Sequence, residues 1–130
     1  LHDAGKLDDL NVSTAQVRDA VRGALSLVEK AAGKAAADEM ECALALTNGR
    51  ILVATRHGAP VYLQERSSLP DCAVCREPPP RDKRVDHEHL RSALVIADVE
   101  APAPDLKFVE VADRTLLSIS HDLKVEKSAL

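Results

Sequence analysis

The chain has 130 residues, 45% of them hydrophobic and 29% charged, with a formal net charge of −4. That length supports one domain with a real core, the composition is that of a globular protein, and the acidic balance argues against a nucleic-acid surface. Aromatic residues make up 2%, with one Phe, one Tyr and no Trp, so there is little for single-stranded bases to stack on.

No apolar run approaches membrane-spanning length. Three cysteines, an odd number, and no signal-peptide pattern at the start point to a reducing, cytoplasmic setting. The first residues, Leu1-His2-Asp3-Ala4-Gly5-Lys6-Leu7, read as a helix end leaving through a glycine cap. A chain that opens this way is expected to have lost what came before it.

Ser13-Thr14-Ala15-Gln16 fits a capping box, with Ser13 as N-cap and Gln16 reaching back. Val17, Val21, Ala24, Leu25, Val28, Ala31 and Ala32 follow at helical spacing, which predicts an amphipathic helix from Ser13 to about Ala37. Cys42-Ala43-Leu44-Ala45-Leu46-Thr47 and Ile51-Leu52-Val53-Ala54-Thr55-Arg56 are two apolar arms around Asn48-Gly49. They predict a hairpin with a two-residue type I′ turn, apolar on both faces and so buried on both sides.

Val61-Tyr62-Leu63 reads as a short strand that Pro60 keeps from a central position at its start. Residues 66–91 hold Pro78-Pro79-Pro80 and a mixed charge run, and read as an irregular, solvated loop insertion. Ser92–Ala97 reads as a buried strand, Lys107–Val111 as a half-buried one, and Thr115–Ser120 and Leu123–Lys127 as two more. Mostly sequential strands with one long helix predict an α+β fold with antiparallel sheets under helix cover, residues 1–130 forming a single domain.

The candidate chemistry is sparse. Cys72 and Cys75 form a CxxC, and His87 and His89 stand downstream, so two thiolates and two imidazoles would complete a tetrahedral structural zinc site. The His-x-His spacing is tighter than in zinc fingers, and the alternative is a loop whose cysteines and histidines hold no metal. A redox role for the CxxC is disfavoured, because Glu77-Pro78-Pro79-Pro80 cannot continue as the helix that lowers a thiol pKa. Cys42 reads as a small buried hydrophobe, and His2, His57 and His121 as surface or packing residues. Asp98 and Glu100 flank a strand end, where a solvated turn is favoured over an acid–base pair. There is no glycine-rich phosphate loop, no GxSxG and no HExxH.

The order of elements is similar to a known family. The helix, then "ALALTNGRILVATRHG", "VYL", a variable loop, "ALVIADVE" and "FVEVADRTLLSISHDLKV" resemble the C-terminal half of class II glutamine amidotransferase domains, which are N-terminal-nucleophile hydrolases. The likeness is to the small stand-alone amidohydrolases, whose hairpin reads like "NLALTDGRRLVATRYG" against Ala43 to Gly58 here. Phe108 stands where those proteins carry a tryptophan, and Asp98-Val99-Glu100 departs from their Ser-Glu-Pro.

The resemblance implies part of an αββα sandwich and hydrolysis of a γ-glutamyl amide by a leading cysteine whose own amino group is the base. No cofactor is required. That cysteine is not in this chain, so no catalytic residue carries over, and the implied partners are the N-terminal half of the same domain and a small γ-glutamyl substrate. A homo-oligomer is compatible with this reading, and a lone half-sandwich would be expected to leave a sheet face uncovered. The alternative from another class is a non-catalytic binding domain that works through the 66–91 segment, with or without a zinc knuckle.

Overall fold

The computed structural model describes residues 9, 11–33, 39–67, 91–97 and 100–130. Helix α1 spans Thr14–Ala32. Ser13 sits at its N-cap in extended backbone, its hydroxyl accepts from the Gln16 amide at 3.2 Å, and the Gln16 side chain accepts from the Ser13 amide at 3.0 Å. The predicted capping box is therefore formed, and it satisfies two of the orphan donors of the first turn. The helix stops at Gly33, whose φ of +80° leaves the helical region. Residues 34–38, over which the helix was expected to continue, lie outside the described residues.

The strands are β1 (Cys42–Thr47), β2 (Leu52–His57), β3 (Val61–Arg66), β4 (Ser92–Ala97), β5 (Val109–Glu110), β6 (Thr115–Ile119) and β7 (Val125–Ala129). They make a four-stranded sheet in the order β1-β2-β6-β7 and a three-stranded sheet in the order β4-β3-β5. Every pairing is antiparallel. The protein is thus α+β, with one helix and two antiparallel sheets among the described residues.

Alternation along β2 and β6 builds three layers. Val53 and Leu116 face Val17 and Val21 of α1, while Ala54, Leu117 and Ile119 face Val61 and Leu63 of the second sheet. One sheet is thereby buried on both sides at its centre, with Leu116 at 0% and Leu117 at 1% exposure. Among the described residues no helix covers the outer face of the three-stranded sheet. There Gln64 donates from its side-chain amide to the Leu106 carbonyl of a short 3-10 turn (Pro104–Leu106).

Three expectations are corrected. The β1–β2 hairpin exists, but β1 is an edge strand exposed on both faces, with Leu44 and Leu46 38% and 41% exposed. The reason is lateral: α1 and the second sheet cover β2 and β6, and neither reaches β1. The turn is also longer than two residues, because Thr47 pairs with Leu52 and leaves 48–51 between the arms. Asn48 keeps a negative φ, and its side-chain oxygen accepts from the amides of Arg50 and Ile51 at 3.0 and 3.1 Å, so only Gly49 takes positive φ. Finally, β3 is the central strand of its sheet. Pro60 lies just before the ladder begins at Val61, so its missing N–H costs no strand pairing.

Two other strands differ in extent. Of the expected 107–111 strand, Val109 and Glu110 form the ladder with β3 and the Val111 amide donates to the Val61 carbonyl at 2.9 Å, while Lys107 before them adopts a left-handed conformation, φ 55°. The last strand starts at Val125, after Leu123 at φ 61°.

Leu117 touches both the helix-covered sheet and its partner sheet through one buried side chain. Leu117→Ala is expected to destabilise the fold by about 2–5 kcal/mol, read as a lower urea midpoint with an unchanged slope.

Candidate functional site

The proposed zinc ligands Cys72, Cys75, His87 and His89 lie outside the described residues, as do Asp98 and His2. Among the described residues no group of three or more His, Cys, Asp or Glu side chains could hold a metal ion. No described helix is long and apolar enough to cross a membrane. Cys42 opens β1 directly across from His57 and is half-buried, at the periphery of the core rather than within it. Glu100 is exposed beyond the end of β4.

The structure gathers polar residues at both ends of the sandwich. At one end His57, 3% exposed, closes β2. Its Nδ1 lies 2.8 Å from the Met40 carbonyl oxygen and its Nε2 3.1 Å from Glu29 Oε1, so both ring nitrogens are partnered. Glu29 also accepts from Arg114 Nη2 at 2.8 Å, which ties the last turn of α1 to the start of β6.

Next along the chain, Gly58 holds φ +75°, and a Cβ there would stand 2.8 Å from the Met40 carbonyl oxygen. The Gly58 amide donates to Asp113 Oδ1 at 2.7 Å. That backbone N–H, with the Arg114 amide and the nearby Arg56 and His57, holds the Asp113 carboxyl below its ordinary value of 3.8. Arg56 pairs with Glu110 at 2.7 Å and donates to the Val111 carbonyl, joining the two sheets. Each of these groups is engaged with another, and the arrangement is a structural tie across α1, β2 and β6.

At the opposite end, where the β1–β2 and β6–β7 turns lie, the two sheets part. A recess of about 290 Å³ opens there, with Leu52, Ala93, Ile119 and Leu123 as its apolar lining and Arg50 and His121 among its polar residues. An apolar floor with a few polar groups is the usual form of a small-molecule site. A second recess, of about 210 Å³, shares Leu123 with it and lies at the ends of β3 and β4.

Ser120, His121 and Asp122 are neighbours in sequence at this end, yet they do not form a nucleophile and base. The Ser120 hydroxyl donates to the Asp122 carboxylate rather than to an imidazole. Asp122 is fully exposed, and that hydroxyl contact holds its carboxyl below the ordinary value. Arg50, for its part, donates to Asn11 at 2.9 Å. The described residues supply no activated nucleophile to either recess.

Sequence reasoning treated His57 and His121 as isolated. The partners of His57 are 28 and 17 residues away, and no periodicity joins them. The one local signal was a glycine directly after a strand-ending histidine, which marks a close backbone approach. Comparison with known proteins adds no assignment: no family model, no curated protein and no solved structure matches the chain.

Two outcomes test this end of the molecule. Glu29→Ala leaves the buried His57 ring without one hydrogen-bond partner and is expected to cost about 1–3 kcal/mol in urea unfolding. Asp113, whose folded value is depressed, contributes stability that is present above pH 3.8 and is lost as pH falls below it. Asp113→Asn should therefore flatten the acid limb of a stability–pH curve, whereas an unchanged limb would remove Asp113 from that role.

Proposed function

We propose that this chain is the structural half of a glutamine-amidohydrolase-like domain, the C-terminal half of a class II glutamine amidotransferase fold. The observation that carries the reading is the three-layer stack of α1 on a four-stranded sheet on a three-stranded sheet, which is compatible with part of an αββα sandwich. The "ALALTNGRILVATRHG" segment forms its first hairpin, and β1 stands at the sheet edge with both faces uncovered. A domain completed by a second half would continue from such an edge.

In this reading the N-terminal half brings a leading cysteine, with its α-amino group as base. The thiol attacks the γ-carbonyl of glutamine or a γ-glutamyl amide, and the C–N bond breaks to release ammonia or an amine. Water then cleaves the thioester to give glutamate and free thiol. The residues of this chain hold the sandwich together and take no part in the bond-making steps. The reaction calls for no cofactor, no nucleic acid and no membrane, and belongs to the cytoplasm.

The test is a glutaminase assay on the protein carrying both halves, with the leading cysteine exposed. Glutamate release from glutamine or a γ-glutamyl amide is expected, and its loss when that cysteine is replaced by alanine. An inactive protein with both halves folded would overturn the reading. A non-catalytic binding domain working through the 66–91 segment is the second reading, favoured by the two arginines at the feet of that segment.

A further inference from the structure

Seven arginines lie among the described residues, and five of them are engaged. Arg18 faces Glu126 at 3.6 Å, Arg22 pairs with Asp19 at 3.0 Å, and Arg56 with Glu110 at 2.7 Å. Arg114 pairs with Glu29 at 2.8 Å, and Arg50 donates to Asn11 at 2.9 Å. Arg66 and Arg91 alone have no hydrogen-bond or ion-pair partner among the described residues, and both line the same recess of about 210 Å³. Two guanidiniums without a partner among the described residues thus line one hollow in a chain of net charge −4.

The recess wraps the ends of β3 and β4. Arg66 stands across from Ser92 in the strand register, and Ser67 and Arg91 are the next residues along each chain. The Ser92 hydroxyl is buried and without a partner among the described residues, and Ser67 lies exposed at the end of β3. Glu65 is the one carboxylate among the described residues of the lining. Leu123 forms the apolar side.

We infer that this hollow is a binding site for a small oxyanion-bearing molecule, one presenting a carboxylate or a phosphate group to Arg66 and Arg91. Guanidinium forks match both groups, and hydrogen bonds with charge on both partners are about twice as strong as neutral ones. The exposed Ser67 hydroxyl supplies a further donor to the same group, and Leu123 packs against an apolar portion of the ligand. The site holds under either functional reading, because it uses no residue of the catalytic scheme.

The test is a titration of the isotope-labelled chain at low ionic strength, followed by amide chemical shifts, with inorganic phosphate in one arm and acetate in the other. Saturable shifts centred on Arg66, Ser67, Arg91 and Ser92 are expected. Arg66→Gln and Arg91→Gln should each weaken binding about tenfold or more, while Arg50→Gln, at the neighbouring recess, should not. Both arginines are exposed, and unchanged shifts in the core strands will show that the variants fold. Tighter phosphate binding identifies a phosphorylated ligand, and tighter acetate binding a carboxylate. Shifts that never saturate, that spread over the whole surface, or that survive both substitutions would overturn the site.

Discussion

The structure depends on a sheet buried from both sides. On β2 the neighbours Val53 and Ala54 point to opposite faces, and on β6 Leu116 and Leu117 do the same. Each pair feeds one residue to α1 and one to the second sheet, so two short strands carry both cores. A one-residue slip of either strand would exchange the two sets and set each side chain in the wrong layer. With almost no aromatic side chains, the cores close through Val, Leu, Ile and Ala, whose modest volumes let three layers pack closely.

The same arrangement explains what is left open. A layer covers only the strands beneath it, and α1 is placed over β2 and β6 by the packing of Val17 and Val21 and by the reach of Arg22 to the Ser128 hydroxyl and the Ala129 carbonyl of β7. The helix is thus drawn away from β1. Leu27 and Val28 on the helix and Leu44 and Leu46 on the strand stay exposed in consequence. The polar tie of Glu29, His57 and Arg114 fixes the helix at its C-terminal end, and the tight approach at Gly58 lets the chain cross from one sheet to the other.

Local chemistry made much of this legible. The capping box at Ser13 and Gln16 needs only four residues to be recognised, and it forms as read. The arms around Asn48-Gly49 pair antiparallel, although Asn48 spends its side chain on the amides of Arg50 and Ile51 and the turn widens. The site was less legible. Arg66 and Arg91 are separated by a long segment, and only the β3–β4 register brings their ends together. The CxxC and the His87–His89 pair, the most conspicuous motif in the sequence, lie outside the described residues.

By itself the sequence determined the helix, the strand segments and their antiparallel hairpins, because caps, turns and alternation act over a few residues. Tertiary structure alone decided that β1 lies at an edge, that β3 is central, and that His57 is buried against Glu29 and the Met40 carbonyl. Burial is a property of the layers that meet a strand, and an apolar strand has the same composition whether one layer, two or none reach it.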